Sequence, residues 1–313
     1  MKKVLVTGGF GRVGKHVVET LLKDGYSVRI FDRKDTGAFK GKAEIFIGDL
    51  LKYDDVKNAV KGVDIVCHLA AVFPPFFFEE FTIFDVNVKG TFHVLQAIKE
   101  VGNIQKLVFA STDAVYATGS EYNPYDVPIK ENMEAWPVNV YAICKYSTEI
   151  MIQKYSRLFN IPYVNLRIFW AMDSKEMIGL LFKAGNYMDN ILAEDKVGLN
   201  PDDIVAPMQA DGKIFHEHFC ESRDVAQGFV LGIEREDVKN ETFNLAAPDR
   251  LDYTKYYELI GKKLGKPFRK VRVKGIKDYE ADISRTKSIL GYKPVFTVEK
   301  MINEALTHNA QTK

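Results

Sequence analysis

Residues 7–14 read Thr-Gly-Gly-Phe-Gly-Arg-Val-Gly and stand between two different apolar patterns. Before them, residues 3–6 (Lys-Val-Leu-Val) form the short apolar run that is typical of a buried parallel strand. After them, residues 16–22 carry apolar side chains at helical spacing. The sequence therefore predicts a strand, a tight glycine turn and a helix. The free N–H groups and the positive dipole end of such a helix suit a pyrophosphate.

A second apolar run, residues 27–31, ends at Asp32. In a dinucleotide-binding fold, a carboxylate at this distance from the glycines accepts hydrogen bonds from the adenosine ribose. Such a carboxylate would also repel the 2′-phosphate of NADP, so the sequence predicts NAD as the cofactor. NADP stays as the alternative, because the neighbouring Arg33 could pair with that phosphate. Asp32 also argues against a glycine turn that binds no ligand.

The composition indicates a globular chain with almost no net charge. The 313 residues include 43 Lys and Arg against 42 Asp and Glu, and 46% are hydrophobic. Near-neutral charge without a basic cluster predicts no nucleic-acid partner, and no apolar run approaches the roughly 18 residues of a membrane span. The first strand begins at once, which leaves no room for a signal peptide and predicts a cytoplasmic protein.

The cysteines and histidines do not have metal-ligand spacing. Cys67, Cys144 and Cys220 are odd in number and far apart, which indicates reduced, structural thiols. His216 and His218 are the only close pair of histidines in the sequence. Alternation along a strand or loop explains this pair as well as metal ligation does, and we expect no metal site.

Apolar runs alternate with helical patterns along the first half of the chain. Further strands are predicted at 43–47, 64–71 and 106–110, and helices at 54–60, 83–101 and 145–159. This alternation predicts an α/β fold, a Rossmann doubly wound parallel sheet, with ligands at the carboxyl ends of its strands. Ala70 and Ala71 end one of these strands, where small side chains would let a cofactor approach the backbone.

The spacing of Gly8, Gly11 and Gly14 resembles that of the short-chain dehydrogenase/reductase superfamily. Further matches cover nearly the whole chain: His68-Leu69-Ala70-Ala71, Asn87-Val88-Lys89-Gly90-Thr91, Thr112 four residues before Tyr116, Tyr141 four residues before Lys145, Leu166-Arg167-Ile168-Phe169, Arg223-Asp224-Val225-Ala226, Phe243-Asn244-Leu245 and Leu290-Gly291-Tyr292-Lys293-Pro294. The chain thus resembles the extended branch, the NAD-dependent epimerase/dehydratase family. This resemblance implies an NAD-binding Rossmann core at residues 1–170. It also implies a smaller C-terminal α/β substrate lobe at 171–313, partly interleaved with the core.

The resemblance also implies a set of site residues. Those for the cofactor are Gly8, Gly11, Arg12, Val13, Gly14, Asp32, Arg33, Asp49, Leu50, Leu69, Ala70, Ala71, Asn87, Tyr141 and Lys145. In the family, the residues at the positions of Asp49 and Leu50 flank the adenine, and the asparagine usually braces the catalytic strand. Members often form homodimers through two helices, here 83–101 and 141–159.

Tyr141, Lys145 and Thr112 are the predicted catalytic residues. Tyr141 and Lys145 lie four positions apart, so a helix places both side chains on one face. A phenol with a pKa of about 10 is a poor base at neutral pH, and a nearby ammonium would lower that pKa. Tyr141 would then move the proton of a substrate hydroxyl while hydride passes to or from the nicotinamide. Thr112 would bond the same substrate oxygen, and Lys145 would also hold the nicotinamide ribose.

The chain departs from the resembled family at positions that contact a nucleotide sugar. Sugar-nucleotide members usually carry an asparagine where this chain has Trp170. They also carry an arginine for the diphosphate before the helix that begins near Arg223, and the nearest positions here are His216 and Glu217. Because a carboxylate repels a diphosphate, these departures count against a nucleotide sugar as substrate.

A second departure bears on the type of reaction. The 4,6-dehydratases of the family have Asp-Glu after the catalytic threonine, whereas Thr112 is followed by Asp113 and Ala114. Without the second carboxylate, water elimination lacks its base, which counts against dehydratase activity.

Residues 73–81 form a proline-broken aromatic cluster, Phe-Pro-Pro-Phe-Phe-Phe-Glu-Glu-Phe. The cluster is either a loop that packs on the following helix or an apolar wall over the substrate. Phe73, together with Asp113 and Trp170, is a candidate for substrate contact.

Three functions are consistent with these residues. The first is NAD-dependent oxidoreduction at a secondary hydroxyl or ketone of a carbohydrate-like small molecule. The second is an NAD-dependent sugar or nucleotide-sugar epimerase, in which the cofactor stays bound. The third is a dinucleotide-sensing regulator without catalysis, which the intact Tyr141 and Lys145 disfavour.

Overall fold

The computed structural model describes residues 2–73, 79–126 and 128–311. The strands are β1 (Lys3–Thr7), β2 (Ser27–Asp32), β3 (Glu44–Ile47), β4 (Ile65–His68), β5 (Lys106–Thr112), β6 (Tyr163–Ile168), β7 (Ala171–Met172), β8 (Ile204–Gln209), β9 (His216–Glu217), β10 (Cys220–Glu221), β11 (Glu241–Leu245), β12 (Leu251–Asp252) and β13 (Phe268–Val273). The helices are α1 (Arg12–Lys23), α2 (Tyr53–Val60), α3 (Glu80–Phe84), α4 (Gly90–Val101), α5 (Val140–Phe159), α6 (Ala193–Lys196), α7 (Ser222–Glu234), α8 (Tyr257–Leu264) and α9 (Val298–Gln311). A π-helical turn, Asp85–Lys89, joins α3 to α4.

Within the described residues, the main sheet has seven strands in the order β11-β6-β5-β4-β1-β2-β3. All of its neighbouring strands are parallel. The strand order reverses between β1 and β4, which pair through Val4 and Ile65. In open α/β sheets, ligands bind in the crevice at the carboxyl ends of the strands at such a reversal. The predicted Rossmann sheet is therefore confirmed.

The central strands are apolar because helices cover both faces of the sheet. Val4, Leu5 and Val6 are at most 1% exposed. On one face, α1 and α7 pack together over β1 and β6, with Val17 and Phe229 in the shared core. On the other face, α2, α4 and α5 contribute to a second core. Burial on both sides explains why these strands read as continuous apolar runs.

The part of the chain after residue 170 is interleaved with the main sheet. It supplies most of a further core, which includes Phe182, Phe215, Tyr253 and Met301 together with Tyr116 from the earlier part of the chain. Yet β11 returns to the main sheet beside β6, and α7 packs on α1. The division of the chain at residues 170 and 171 stays a prediction. No helix in the described ranges is long and apolar enough to cross a membrane.

Helix α5 begins five residues before the start predicted from periodicity. The cap residue Asn139 accepts a hydrogen bond from the backbone N–H of Ala142 at 2.9 Å. An asparagine cap of this type satisfies an N–H group that the helix itself leaves free. As a result, Tyr141 stands in the first turn of α5 and Lys145 one turn further on.

Candidate active site

A cleft of about 1140 Å³ opens at the carboxyl ends of β1, β4 and β5. Its walls include every site residue predicted from the sequence except Asn87. The cleft thus brings together the glycine turn, the acidic residue after β2 and the predicted catalytic residues.

The glycine turn is packed so closely that side chains are excluded at two positions. Gly8 has a φ of +70°, and a Cβ there would lie 2.9 Å from the backbone N of Ala70. A Cβ on Gly14 would lie only 2.1 Å from the carbonyl oxygen of Gly8. Because of these contacts, the first turn of α1 stands directly against the loop that ends β1. The free N–H groups of the helix therefore open into the cleft, where a pyrophosphate fits.

Asp32 is fixed beside this turn by two backbone donors. Its Oδ2 accepts a hydrogen bond from the N–H of Phe10 at 3.1 Å, and its Oδ1 accepts one from the N–H of Arg33 at 2.8 Å. These bonds hold the carboxylate at the end of β2 in the wall of the cleft. A carboxylate so placed suits the two hydroxyls of an adenosine ribose and disfavours a 2′-phosphate.

Arg12 links the glycine turn to the C-terminal part of the chain. Its Nη1 donates to the carbonyl oxygen of Ala171 at 3.2 Å, and its Nε lies 3.1 Å from Glu176 Oε2. Val13 lines the cleft next to it. The guanidinium is thus already paired with Glu176, and Arg12 would have to keep this ion pair while it contacts the cofactor.

Residues after β3 and β4 complete the wall of the cleft beside the glycine turn. The backbone N–H of Asp49 donates to Asp55 Oδ2 at 3.0 Å, and Leu50 is 6% exposed. Leu69, Ala70 and Ala71 follow β4 and line the cleft as well. These placements agree with the predicted cofactor site.

Asn87 lies behind the wall of the cleft. Its Oδ1 accepts a hydrogen bond from the N–H of Val72 at 2.9 Å, and its Nδ2 donates to the Val72 carbonyl oxygen at 2.8 Å. It braces the loop after β4, and not the strand that carries Thr112 as the resemblance implied. Any role of Asn87 in cofactor binding is therefore indirect.

His68 is a packed histidine. It is 1% exposed, its Nδ1 lies 2.7 Å from Thr7 Oγ1, and its Nε2 lies 2.9 Å from Thr91 Oγ1. Burial lowers the pKa of His68 to about 3. The neutral ring ties β1 to β4 and α4.

Thr112, Tyr141 and Lys145 meet at the floor of the cleft, at the carboxyl end of β5 and the start of α5. Burial raises the pKa of the Tyr141 phenol well above its ordinary value. A hydrogen bond with Thr112 lowers this pKa, and repulsion from Asp113 raises it further. The expected lowering of this pKa by Lys145 is therefore wrong, because burial is the largest cause of the shift and Lys145 is not among its causes.

Lys145 is itself nearly enclosed. Its side chain is 4% exposed, and its Nζ lies 4.2 Å from the centroid of the Phe109 ring. Burial lowers the pKa of Lys145 to about 7, against the opposing attraction of the Glu149 carboxylate. Glu149 is held in turn by Arg167, whose Nε and Nη2 donate to it at 3.0 and 2.7 Å. The lysine can therefore exchange its proton near neutral pH.

The predicted substrate residues Phe73, Asp113 and Trp170 line the cleft near Tyr141. Trp170 has a φ of +22°, and its indole side chain is 39% exposed. The interpretation of the aromatic cluster rests mainly on residues 74–78, which lie outside the described residues. Phe81, at its far end, is 83% exposed.

Sequence reasoning missed the partners that bring Glu217 into the cleft. Glu217 lines the cleft and accepts hydrogen bonds from Tyr253 and Tyr279, the second at 2.8 Å. These tyrosines follow Glu217 by 36 and 62 residues, so no local pattern links them. The one sequence signal that pointed to Glu217 as a site residue was that a glutamate stands near the position where family members carry an arginine.

His216 and His218 are occupied by groups of the protein. His216 Nδ1 lies 2.9 Å from Asp278 Oδ2, and His218 Nε2 lies 3.0 Å from the carbonyl oxygen of Ala247. A search of the described residues finds no cluster of His, Cys, Asp and Glu that could hold a metal ion. The alternation of these histidines on and after β9 accounts for their spacing.

Comparison with known proteins identifies the family. The model of the NAD dependent epimerase/dehydratase family matches residues 4–172, which span β1 to β7 and the whole glycine turn. The chain belongs to this family. It is an NAD-dependent enzyme of the extended short-chain dehydrogenase/reductase type, as the sequence resemblance implied. The glycine turn, Asp32 and the small residues after β4 fit NAD as its cofactor.

Two family relatives differ in how much of the chain they match. The UDP-glucose 4-epimerase of Lactobacillus helveticus is 27% identical, and the match covers 93% of this chain and 92% of that protein. The bovine (Bos taurus) sterol-4-alpha-carboxylate 3-dehydrogenase (decarboxylating) is 35% identical, but the match covers 49% of this chain and 40% of that protein. The family likeness is thus shared by an epimerase and a dehydrogenase.

A solved structure resembles the whole chain. It is a short-chain dehydrogenase/reductase superfamily protein from Agrobacterium tumefaciens, crystallised with bound NAD. The two chains are 27% identical, with a TM-score of 0.87, and the match covers 99% of this family member and 98% of the other.

Proposed function

We propose that this chain transfers hydride between NAD and a secondary hydroxyl or ketone of a carbohydrate-like small molecule, with Tyr141 as general acid and base. The observation that carries the proposal is the placement of Thr112, Tyr141 and Lys145 in one cleft with the glycine turn. When bound, the nicotinamide of NAD supplies the hydride acceptor and donor.

Each of these residues has a distinct part in the proposed reaction. In the reduction direction the Tyr141 hydroxyl donates its proton to the ketone oxygen, and its raised pKa keeps it protonated at neutral pH. In the oxidation direction the phenol passes its own proton to neutral Lys145 and takes the proton of the substrate hydroxyl. Thr112 bonds the same oxygen and orients it. Lys145, with its pKa near 7, holds the nicotinamide ribose and can return a proton to Tyr141. Ala70 and Ala71 leave room for the cofactor against the backbone.

A retained-cofactor epimerase acting on a sugar or nucleotide sugar is the second candidate. The name of the relative from Lactobacillus helveticus favours it, since that protein is a UDP-glucose 4-epimerase. Trp170 and Glu217 argue against a nucleotide-sugar substrate. A dinucleotide sensor is a third candidate, which the complete set of Thr112, Tyr141 and Lys145 disfavours.

Cofactor retention distinguishes the first two candidates. We expect the purified protein to carry little NAD(H), because a dehydrogenase must release reduced cofactor after each turnover. The measurement is mass spectrometry and absorbance of the denatured protein. When NAD and a free sugar are then added, the sugar should be oxidised and the NAD reduced to NADH. Near-stoichiometric NAD on the purified protein, with interconversion of sugar isomers, would instead establish the epimerase.

We also propose that the enzyme is a homodimer that pairs through α4 and α5. Apolar side chains are exposed on the neighbouring helices α3, α4 and α5: Phe81, Phe84, Phe92, Ile143, Ile150, Leu158 and Phe159. Along α5, Ile152 is buried in the core, whereas Ile150 and Leu158 are exposed. An exposed apolar surface of this kind supports association. The cytoplasmic location stays a prediction.

The double variant Phe92→Glu/Ile150→Glu is expected to be a monomer. Each substitution places a charge on the proposed interface, where its desolvation opposes pairing. Light scattering should give half the mass of the unaltered protein. Leu259→Glu on α8, where Leu259 is 42% exposed, is the control and should leave the dimer intact. A monomeric unaltered protein at all concentrations would disprove the proposed interface.

A further inference from the structure

The part of the cleft next to Tyr141 is lined by residues from both parts of the chain. We call it the substrate pocket, and we define it by six of the residues that line the cleft: Asp113, Trp170, Tyr187, Phe215, Glu217 and Tyr279. Four of these six residues are aromatic, and the other two are acids. A substrate in this pocket would be in reach of the Tyr141 hydroxyl.

Glu217 is a buried acceptor with tyrosines behind it. Its side chain belongs to a residue that is 6% exposed, and both carboxylate oxygens accept phenol hydrogens, from Tyr253 and from Tyr279. Tyr187 donates to the Tyr253 oxygen at 3.2 Å and extends the network. A carboxylate has about four acceptor positions, so roughly two remain for a ligand. Burial raises the pKa of Glu217 to about 7.

Asp113 is a second buried acceptor in the same pocket. It is 7% exposed and accepts hydrogen bonds from Thr118 Oγ1 at 2.5 Å and Thr112 Oγ1 at 3.2 Å. The backbone N–H of Trp170 also donates to it. Burial raises the pKa of Asp113 to about 6, and the repulsion between the two carboxyl groups adds to the rise at Glu217. Hydrogen-bond donors on a ligand would stabilise the ionised forms of both carboxyl groups.

Most basic residues of the cleft lie at its cofactor end. Among the described residues that line it, the arginines and lysines are Arg12, Arg33, Lys34 and Lys145. Arg12 is paired beside the glycine turn, and Arg33 and Lys34 follow the Asp32 carboxylate. Lys145 alone lies near Tyr141, enclosed at the floor over Phe109. A phosphate or carboxylate in the substrate pocket would therefore meet two acids, with Lys145 as the one cation of these four beside it.

We infer that the substrate is an uncharged polyhydroxylated ring whose hydroxyl groups donate to Glu217 and Asp113. The apolar edges of such a ring suit the aromatic walls of Trp170, Tyr187 and Phe215. Nucleoside diphosphate sugars and uronates should bind more weakly, because the ionised carboxylates of Glu217 and Asp113 repel an anion. This inference rests on the proposed function and specifies its substrate class.

The test compares rings that differ only in charge. For the gluco, galacto and manno rings, the probes are the free sugar, its uronate and the corresponding nucleoside diphosphate sugar. Calorimetry with the NAD-loaded Tyr141→Phe protein measures binding without turnover, and the unaltered enzyme with NAD measures kcat/KM. For any of the three rings that binds, we expect the free sugar to bind at least about tenfold more tightly than both its uronate and its nucleoside diphosphate derivative.

Glu217→Gln in the same Tyr141→Phe background tests the residue itself. The amide keeps the shape and one acceptor but loses the charge, so free-sugar affinity should fall by about 10- to 100-fold. The uronate should lose less affinity or gain some, because the repulsion is removed. Asp113→Asn should act in the same direction. Glu258→Gln, on the surface of α8, is the matched control and should change neither affinity. Thermal unfolding monitors the fold of each variant.

The outcomes separate the inference from the proposed function. The inference is supported if a free sugar binds more tightly than its anionic counterparts and Glu217→Gln reduces that difference in affinity. If the unaltered enzyme nevertheless turns over no sugar, the proposed function alone is refuted. Tighter binding of a uronate or nucleoside diphosphate sugar would overturn the inference. So would the failure of every free sugar to bind.

Discussion

Tyr141→Phe is expected to lower kcat by about 10³-fold, with the affinity for NAD nearly unchanged. The substitution removes only the hydroxyl that exchanges a proton with the substrate oxygen, and the ring keeps its place in the wall of the cleft. The cofactor is held mainly by the glycine turn and Asp32, which the change does not touch. Absorbance of NADH under steady-state conditions measures kcat, and calorimetry measures the Kd for NAD.

The matched control for this variant is Tyr155→Phe on the same helix. The Tyr155 ring packs against Phe92 and Phe159 outside the cleft, with centroids 6.1 and 5.1 Å away. Its loss of a hydroxyl should leave kcat within about twofold, as for surface changes away from the site. If Tyr141→Phe kept more than about a tenth of the kcat, general acid–base catalysis of the usual size would have to come from another group.

The sequence was sufficient for the sheet and for the cofactor end of the cleft because both depend on local patterns. The strand, the glycine turn and the first residues of α1 follow one another along the chain. Asp32 ends the next strand, and parallel strands bring their carboxyl ends to one edge. Local spacing therefore predicted which of these residues meet in one cleft.

The substrate pocket could not be predicted in this way, because it depends on contacts between distant parts of the chain. Glu217 meets Tyr253 and Tyr279 only when β9 folds beside β12. The pKa of Tyr141 was also mispredicted, since it depends on burial, which the spacing of Tyr141 and Lys145 does not reveal. Asn87 was placed in the cofactor site by resemblance, whereas its amide bonds to the backbone N–H and carbonyl oxygen of Val72.

Gly14→Ala is expected to lower the free energy of unfolding by about 3 kcal/mol and to weaken NAD binding at least 100-fold, the order of the loss when a tightly packed backbone is forced apart. The new methyl group would lie 2.1 Å from the carbonyl oxygen of Gly8 and 2.9 Å from the Cα of Gly9. Neither backbone atom can move without opening the turn that presents the free N–H groups of α1. Urea unfolding measures the stability, and calorimetry measures NAD affinity.

The expected loss of stability in Gly14→Ala is informative because helix propensity alone predicts a gain. Gly14 lies within α1, where alanine is intrinsically better than glycine by about 1 kcal/mol. Gly179→Ala is the matched control, since Gly179 lies in the helical turn Ile178–Phe182 and a Cβ there meets no heavy atom within 4 Å. The control should be neutral or stabilising. If Gly14→Ala behaved like Gly179→Ala and still bound NAD, the close approach of α1 to Gly8 would not be what shapes the pyrophosphate end of the cleft.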